Sequence, residues 1–376
     1  MQIRNWIKAE AASLGFPFFG ITDLTPPPHL DVFRDWIAAG RHAGMDYLGR
    51  GVSLDKRSDP RQILPGAKSI ITLAMPYAPS LDSTVEQSQP AGRIASYAWG
   101  MDYHEVIPAR LNDLAERISE HLGCPVARRA YTDTGPILER DLAQRAGLGW
   151  AGKNSCLIHP RRGSYFFLAE LFLDIELEPD KPIAIDRCGS CRRCIDACPT
   201  GCICEDRTLD AGRCVSYLTI ENKGPIPVDL RPRIGNRVFG CDICQQVCPW
   251  NRFAVDNEID PTFQPRPGIP APSLLPELQL DARAFNRKFQ LSPVKRAKRR
   301  GYLRNVCIAL GNSHNPAALP ALKEILQAEP EALIRGAAAW ALAEIDPVNA
   351  RSALEIALRV EPDAIVCQEI KAALEK

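Results

Sequence analysis

The chain has 376 residues, enough for two or three domains with sizeable cores. Apolar residues make up 45% of it and charged residues 24%, and the net charge of +1 excludes a general attraction to nucleic acid or anionic lipid. There is no run of 18 apolar residues and no recognisable signal peptide, so we expect a cytoplasmic protein without a membrane span.

Residues 1–178 have the mixed patterns of an α/β domain. Apolar spacing typical of amphipathic helices alternates with short runs of β-branched and aromatic residues. The polar segment 78–92 is predicted to be a surface loop. Helices are predicted at 2–14, 103–122 and 136–146, and strands at 69–77, 125–131 and 165–177.

The 14 cysteines are unusual for a cytoplasmic chain and indicate metal or redox chemistry rather than disulfides. Most of them lie in the segment 179–260. Cys188, Cys191, Cys194 and Cys198 have the spacing of a bacterial ferredoxin, in which three cysteines bind one [4Fe–4S] cluster and the fourth, before a proline, binds a second. The segment is therefore predicted to be a ferredoxin-like domain with two [4Fe–4S] clusters.

The remaining cluster ligands are predicted from a second, shorter cysteine run that also ends in Cys-Pro. It has three cysteines where a symmetric ferredoxin has four, and Cys214 completes the count, whereas Cys202 and Cys204 are left without a role. Two zinc sites are the alternative, although a zinc ribbon needs neither the third cysteine nor the Cys-Pro ends. The predicted sets are Cys188, Cys191, Cys194 and Cys248 for one cluster, and Cys198, Cys214, Cys241 and Cys244 for the other.

The last part of the chain, 261–376, is predicted to be a linker followed by an all-α repeat domain. It opens with a proline-rich stretch and is helical in pattern from Phe285 onward. Leu303-Arg304, Ile334-Arg335 and Ile365-Val366 recur at intervals of 31 residues. Two helices per interval, with apolar faces that only stacking can bury, favour a short HEAT-like solenoid over an unrelated helical bundle.

A second candidate site lies between Tyr131 and Ser155. Asp133 follows a predicted strand, and a glycine-rich turn containing Lys153, Asn154 and Ser155 follows the next helix. This order would place one carboxyl group over a pocket lined by backbone amides. The alternative is that Asp133 is only the N-cap of the helix at 136–146, and composition does not separate the two interpretations.

These motifs together resemble the epoxyqueuosine reductase family. The resemblance is carried by YTDTGPILERDLAQRAGLGWAGKNS with the cysteine run after it, by CVSYLTIENKGPIP, by GCDICQQVCPWN and by SPVKRAKRRGYLRNVCIALGN, and it extends over nearly the whole chain. Met101 stands where the family often has arginine. Members reduce epoxyqueuosine to queuosine at the wobble position of tRNA with cobalamin and two [4Fe–4S] clusters, and are related to reductive dehalogenases.

The resemblance implies an α/β cobalamin-binding domain at 1–178 in which Asp133 is the proton donor. Burial against the corrin and the substrate would raise the pKa of its carboxyl group. Asp102-Tyr-His104 begins like the D-x-H-x-x-G loop that supplies a histidine below cobalt, but Ile107 replaces the glycine, so cobalamin is expected base-off without a histidine ligand. The implied cobalamin contacts are Arg57, Tyr97, Asp133, Lys153, Asn154, Ser155, Leu157, Ser216 and Asp242.

A basic segment is the predicted tRNA contact. Residues 281–304 contain nine lysines and arginines against one aspartate, whereas residues 305–376 contain six basic and ten acidic residues. Charge runs are usually solvated faces, but this one opens the helical repeat and is suited to phosphates. The predicted tRNA-binding residues are Lys295, Arg296, Lys298, Arg299, Arg300 and Arg304.

Two other functions are compatible with parts of the sequence. A corrinoid and iron–sulfur reductase similar to reductive dehalogenases could act on a small molecule, but it would not need the basic helical repeat. A plain electron carrier would not need about 180 N-terminal residues around Asp133. We therefore expect a monomeric tRNA epoxyqueuosine reductase that receives electrons from an external donor of the flavodoxin or ferredoxin type.

Overall fold

The computed structural model describes residues 2–78, 90–183, 185–256 and 259–376. The chain divides into two compact units that alternate along the sequence. Unit 1 contains Met1–Ser80, Gly100–Ala211 and Ile243–Gln264, and unit 2 contains Leu81–Trp99, Gly212–Asp242 and Pro265–Lys376. The predicted domain boundaries at 178 and 260 remain a prediction, and most of the predicted loop at 78–92 lies outside the described residues.

The described strands are short apart from two of eight residues. They are β1 (Phe18–Thr22), β2 (Ser69–Pro76), β3 (Arg93–Ile94), β4 (Arg128–Tyr131), β5 (Trp150–Ala151), β6 (Leu157–Ile158), β7 (Phe166–Leu173) and β8 (Arg237–Phe239).

The helices of unit 1 are α1 (Gln2–Ser13), α2 (Leu30–Ala38), α3 (Gly51–Ser58), α4 (Tyr103–Leu122), α5 (Glu139–Arg145), α6 (Arg193–Asp196) and α9 (Ile243–Gln246). Those of unit 2 are α7 (Val215–Ile220), α8 (Arg231–Ile234), α10 (Leu274–Glu277), α11 (Ala282–Lys288), α12 (Lys298–Ser313), α13 (Leu319–Ala328), α14 (Ala332–Ile345), α15 (Pro347–Val360) and α16 (Ala364–Leu374). None of the helices in the described ranges is long and apolar enough to cross a membrane.

Unit 1 is built on an antiparallel four-stranded sheet in the order β1-β2-β7-β4. Successive side chains of a strand point to opposite faces, and helices cover both faces of this sheet. Phe167 of β7 stacks on Tyr103 of α4, whereas Phe172 of β7 packs in the cluster that contains Leu142 of α5. All eight residues of β2 are therefore buried, which explains its continuous apolar sequence.

Helix α4 has the bounds that its sequence predicts. The Asp102 side chain accepts a hydrogen bond from the His104 backbone amide at its N-terminus, and Gly123 ends it with a φ of 68°. Ile107, Leu111 and other apolar residues of one face are fully buried. This placement fixes Tyr103 and His104 in the first turn of a rigid helix.

Several predicted elements are shorter than expected, and several described elements, among them β1 and α2, were not predicted. Strand β4 begins at Arg128 rather than at Pro125. Helix α5 begins at Glu139 rather than at Pro136, because residues 132–138 form a turn. Strand β7 ends at Leu173 rather than at Leu177. Strand β1 and helix α2 were missed, since a five-residue strand containing a glycine has no strong pattern of its own.

The C-terminal helices of unit 2 form the predicted repeat. Helix α14 packs between α12 and α16, and α13 and α15 contact each other and pack against these helices. Gly311 allows the close approach of α12 to α14, because a Cβ atom there would lie 2.7 Å from the Trp340 ring. The HEAT-like prediction is therefore confirmed for 297–375 in architecture, as stacked helical pairs around a continuous core.

Candidate functional site

The first predicted cluster set lies together in unit 1. Helices α6 and α9 contact each other, and they carry Cys194 and the residues just before Cys248. The Cys191 amide donates to the Cys188 carbonyl over 2.9 Å, which makes the first loop tight. Burial raises the pKa of the Cys248 thiol to about 11, and the proximity of Cys188 and Cys194 contributes to this shift.

A group of four neighbouring thiols fits a [4Fe–4S] cluster in donor chemistry. Burial also raises the pKa of Cys194, with a contribution from Cys188 and Cys191, so each of the four thiols interacts with at least one other member of the set. Each thiolate would bind a different iron atom, which removes the charge repulsion that disfavours thiolates without metal. Among the described residues no three His, Cys, Asp or Glu side chains surround a single metal ion position.

The second predicted set is divided between the units. Cys198 and Cys244 lie in unit 1, and Cys214 and Cys241 lie in unit 2. The Cys198 sulfur is 3.4 Å from the Cys202 sulfur. Hydrogen bonds from Cys202 and Thr200 lower the pKa of Cys198 to about 4. Cys202, which the sequence left without a role, therefore contacts a predicted ligand directly.

The glycine-rich turn with Lys153 is attached to the cysteine loops of unit 1. Lys153 Nζ donates to the carbonyl oxygens of Gly189 and Cys191 over 2.7 and 3.0 Å. Asn154 Nδ2 donates to the carbonyl oxygen of Cys244 over 3.2 Å. Ser155 adopts a φ of 62°, so the turn has a fixed, uncommon backbone conformation. The structure thus brings three predicted cobalamin contacts next to the loops that carry predicted cluster ligands.

Two further predicted cobalamin contacts in unit 1, Leu157 and Arg57, are buried. Leu157 lies on β6 and is 3% exposed. The Arg57 guanidinium donates to the carbonyl oxygens of Leu48 and Ser53, and burial lowers its pKa. The acidic side chains of Tyr47 and Glu139 lie near Arg57 and partly offset the effect of burial on its pKa. Arg57 and Leu157 therefore lie in the interior of unit 1 rather than on its surface.

Three predicted cobalamin contacts belong to unit 2. Tyr97 packs against the Phe239 ring, and Ser216 lies on α7. The Asp242 carboxylate accepts a hydrogen bond from the Ser96 amide over 2.7 Å, and burial raises the pKa of Asp242 to about 6. The predicted cobalamin set is therefore contributed by both units.

Asp133 projects an exposed carboxylate from the turn after β4. Its φ is 58°, and 63% of its side chain is accessible to solvent. Its Oδ2 atom accepts a hydrogen bond from the Tyr103 hydroxyl over 2.8 Å and lies 3.3 Å from His104 Nε2. The N-cap of α5 is Leu138, so the interpretation of Asp133 as a helix cap is wrong.

His104 is held between two carboxylates. Its Nδ1 atom lies 2.8 Å from Asp102 Oδ1, on the opposite side of the ring from Asp133. Burial opposes the charge of the imidazole, but hydrogen bonds to Asp102 and Asp133 raise the pKa of His104 to about 9. The sequence contains Asp102 and His104 as an incomplete cobalamin motif, but it gives no sign that His104 contacts Asp133.

The pKa of Asp133 shifts opposite to the rise that the family resemblance implies. Desolvation raises it, but the hydrogen bonds from His104 and Tyr103 outweigh desolvation and lower the pKa of Asp133. At neutral pH the carboxyl group is therefore ionised, and the neighbouring imidazole carries the proton. The predicted rise in the pKa of Asp133 assumed that a corrin and a substrate bury the carboxyl group. In the chain alone, hydrogen-bond donors from Tyr103 and His104 stabilise the carboxylate instead.

Two further carboxyl groups lie behind Asp133. The Asp133 amide donates to the Glu139 carboxylate, and Glu139 lies next to Glu170, which is completely buried on β7. Burial and the charge of Asp133 raise the pKa of Glu139 to about 7. Burial and Glu139 raise the pKa of Glu170 well above its ordinary value. Sequence reasoning missed Glu170 because it lies within the apolar strand FFLAELFL.

The basic segment is only partly available on the surface of unit 2. Lys295, Arg296, Lys298 and Arg300 are exposed, although Arg296 forms a two-point ion pair with Glu221 at 2.6 and 3.2 Å. Arg299 is half-buried and forms a two-point ion pair with Glu329 at 2.9 and 2.6 Å. The prediction that Arg304 binds tRNA is contradicted, because its side chain is buried. Its guanidinium donates to the backbone carbonyl oxygens of Leu218, Asn222 and Gly224.

Three family models match separate parts of the chain. Residues 57–134 match the model described as Epoxyqueuosine reductase QueG, DUF1730. Residues 187–251 match the 4Fe-4S double cluster binding domain, and residues 297–375 match HEAT repeats. The second match covers both cysteine runs, and the third covers the stacked helices of unit 2.

The chain is also similar to whole proteins. It is 43% identical over 351 residues to an epoxyqueuosine reductase of Pseudomonas aeruginosa, covering 91% of this chain and 94% of that protein. It is 39% identical to an epoxyqueuosine reductase of Escherichia coli, covering 91% and 89%. A crystal structure of epoxyqueuosine reductase with a tRNA-Tyr epoxyqueuosine-modified stem loop superposes with a TM-score of 0.92 at 35% identity, covering 100% and 98% of the two chains.

Proposed function

This chain belongs to the epoxyqueuosine reductase family, and we propose that it reduces epoxyqueuosine to queuosine at the wobble position of tRNA. Family membership makes it an oxidoreductase. The observation that best supports the substrate chemistry is the exposed Asp133 carboxylate, which Tyr103 and His104 hold in the same unit that contains Cys188, Cys191, Cys194 and Cys248. No membrane-spanning helix is found among the described residues.

Two [4Fe–4S] clusters would carry electrons to the site. The match of residues 187–251 to a double cluster domain supports iron–sulfur binding, and the mutual influence of Cys188, Cys194 and Cys248 supports the first ligand set. Cys198, Cys214, Cys241 and Cys244 are proposed for the second. The electrons would enter from an external donor of the flavodoxin or ferredoxin class, and the enzyme would act as a monomer.

Cobalamin is the proposed cofactor, because the predicted contacts include amine, amide and hydroxyl groups whose chemistry suits its amide-rich periphery. Lys153, Asn154 and Ser155 would hold it together with Arg57, Tyr97, Asp133, Leu157, Ser216 and Asp242. When bound, it supplies the low-potential chemistry that an amino acid side chain cannot provide. Both ring nitrogens of His104 face carboxylates, so this histidine would not serve as a ligand to the cofactor.

Asp133 is proposed to deliver protons to the oxygen that leaves the epoxide. Conversion of an epoxide to an alkene and water takes up two electrons and two protons. A carboxyl group at the rim of the site can reach a bound nucleoside, and Tyr103 fixes its orientation through a 2.8 Å hydrogen bond. The tRNA phosphates would contact the exposed lysines and arginines between Lys295 and Arg300, so that the wobble base can enter the site.

The function is tested with Asp133→Asn, which keeps the shape of the side chain but removes its acid. We expect the reconstituted wild type to convert epoxyqueuosine in tRNA to queuosine, and the variant to be slower by about a hundredfold or more, the scale of a lost general acid. Mass spectrometry of the nucleosides from digested tRNA measures the product.

Asp141→Asn is the matched control, because Asp141 also contacts a histidine in unit 1 but lies on α5 next to His29. This control should retain most of the activity. A wild type that fully binds cofactors and tRNA but leaves epoxyqueuosine unchanged would refute the proposed function. Near-normal turnover in the Asn variant would assign the proton to another group.

A further inference from the structure

The proposed reaction raises a question about the source of its protons. Both carbon–oxygen bonds of the epoxide break, a carbon–carbon double bond forms, and the oxygen leaves as water. Two electrons come from the external one-electron donor through the clusters, and two protons must reach the same oxygen. One carboxyl group can hold one proton at most, and Asp133 is ionised in the chain.

We propose that His104 stores the proton that Asp133 passes to the departing oxygen, and that Asp102 holds the imidazole in place for this transfer. This inference rests on the proposed function. His104 Nε2 lies 3.3 Å from Asp133 Oδ2, and Asp102 Oδ1 lies 2.8 Å from Nδ1 on the other side of the ring. Since it acts through Asp133, His104 is a positioning residue that also holds the proton.

The surroundings of the imidazole favour its protonated form. Asp102 is fixed because it also caps α4, where its side chain accepts a hydrogen bond from the His104 amide over 3.1 Å. The Tyr103 ring packs against the imidazole at 4.0 Å, and its hydroxyl donates to Asp133. The two carboxylates therefore face a single cationic ring from opposite sides, and they raise the pKa of His104 to about 9 despite its burial.

The charged groups around Asp133 determine which of the two side chains holds the proton before the reaction. Arg140 and His104 both favour the ionised carboxylate, whereas Glu139 lies close enough for mutual repulsion. His104 and Asp133 thus share one titratable proton near neutral pH. This proton is on the imidazole ring of His104. When a substrate oxygen gains negative charge beside Asp133, the proton moves along the 3.3 Å contact and His104 is left neutral.

The same route supplies the second proton. Side-chain exposure of His104 is 31%, so the neutral imidazole can take a proton from water and return to its starting state. Asp133 then transfers this second proton to the same oxygen, which leaves as water. Each transfer restores the carboxylate, so the atoms and charges balance over the two-electron reduction.

The first test is the titration of His104 by NMR in the chain without cobalamin. We expect its imidazole to titrate near pH 9 in the wild type and closer to the ordinary value of 6.5 in Asp102→Asn and Asp133→Asn. This measurement needs no catalysis and leaves His104 in place. Titration near 6.5 in the wild type would overturn the proposal.

The second test is the pH dependence of queuosine formation for His104→Gln, with excess reductant and saturating tRNA. We expect the variant to be about a hundredfold slower than wild type at pH 8, the scale of a lost acid–base group. The deficit should shrink toward pH 5, because Asp133 can then take its proton directly from solvent. His29→Gln, which changes a different histidine–aspartate pair of unit 1, should match the wild type at every pH.

An equal loss at every pH in His104→Gln would assign His104 a purely structural role and overturn the proton store. Iron content and tRNA affinity of the variant, measured alongside, show that the fold and the cofactor sites are intact. An inactive wild type under the same conditions refutes the proposed function itself. An active wild type with an ordinarily titrating His104 refutes only the proton store.

Discussion

Arg304 donates a hydrogen bond from its guanidinium group to the backbone carbonyl oxygen of Leu218 over 2.7 Å, in the interior of unit 2. The same side chain also donates to the carbonyl oxygens of Asn222 and Gly224. It therefore joins the start of the helical repeat to the segment after α7. Burial lowers the pKa of Arg304 to about 10, so it is still charged at neutral pH.

We expect Arg304→Ala to destabilise unit 2 by about 3 kcal/mol or more, because buried carbonyl groups left without donors cost about 1–3 kcal/mol each. Chemical denaturation followed by circular dichroism measures this change. Arg300→Ala, at an exposed position of the same helix, should change stability by less than about 0.5 kcal/mol. Equal, small effects of both substitutions would contradict the structural role of Arg304.

The exposed residues of the basic segment are better candidates for phosphate contacts than the buried Arg304. We expect charge reversal at Lys295, Lys298 and Arg300 to weaken tRNA binding at least about tenfold at physiological salt and to flatten its salt dependence, since each lost phosphate contact removes released counterions. Fluorescence anisotropy across a salt series measures both quantities, and iron content should stay unchanged.

A matched triple variant separates a local contact from a general charge effect. Arg351, Arg359 and Lys371 are exposed basic residues on α15 and α16, and their reversal makes the same change in net charge. We expect this control to bind tRNA nearly as the wild type does. If both triple variants lose affinity equally, the contact is not specific to the basic segment.

The cluster ligands can be tested one set at a time. We expect anaerobic reconstitution of the wild type to yield about eight iron atoms per chain, and Cys248→Ala to yield about four, because one of two four-iron clusters loses a ligand. Cys124→Ala, at an exposed cysteine far from the runs in sequence, should retain all the iron. Zinc in place of iron, or full iron content in Cys248→Ala, would refute the first ligand set.

Local patterns were enough to predict several elements of the fold. Helix α4 has an apolar face of ordinary helical spacing and ends at Gly123, so its limits can be read from the residues themselves. Strand β1 has no comparable signal, because its five residues are defined by pairing with β2 some fifty residues away. Such long-range pairing cannot be inferred from a single short segment.

The same distinction holds for the site. The cysteine spacing and Asp133 could be identified because each belongs to a continuous motif. The contact between His104 and Asp133 joins a helix N-terminus to a turn 29 residues away, which only the folded sheet brings together. The charge pattern likewise could not distinguish Arg304 from its exposed neighbours. The hydrogen-bond partners of Arg304 are backbone carbonyl oxygens, which every residue has and which the sequence therefore cannot identify.

Glu170 gives a prediction about stability that is independent of cofactors. Its carboxyl group is completely buried on β7, and burial together with Glu139 raises its pKa well above the ordinary value. The folded state therefore binds this proton more tightly than the unfolded state does. The stabilisation is complete below the ordinary pKa of 4.5 and is lost as the pH rises through the raised value, so unit 1 should become less stable toward alkaline pH.

Glu170→Gln keeps the size of the side chain and removes the charge that burial disfavours. We expect the variant to be more stable than wild type by about 1–3 kcal/mol at pH 8, the usual cost of a buried polar group that lacks compensation. Near pH 4.5 the advantage should vanish, since the wild-type carboxyl group is then neutral. Thermal unfolding from pH 4.5 to 8.5 measures the difference, and Glu176→Gln, at an exposed position just after β7, should follow the wild-type curve. A constant difference at every pH would show that Glu170 does not hold its proton in the folded state.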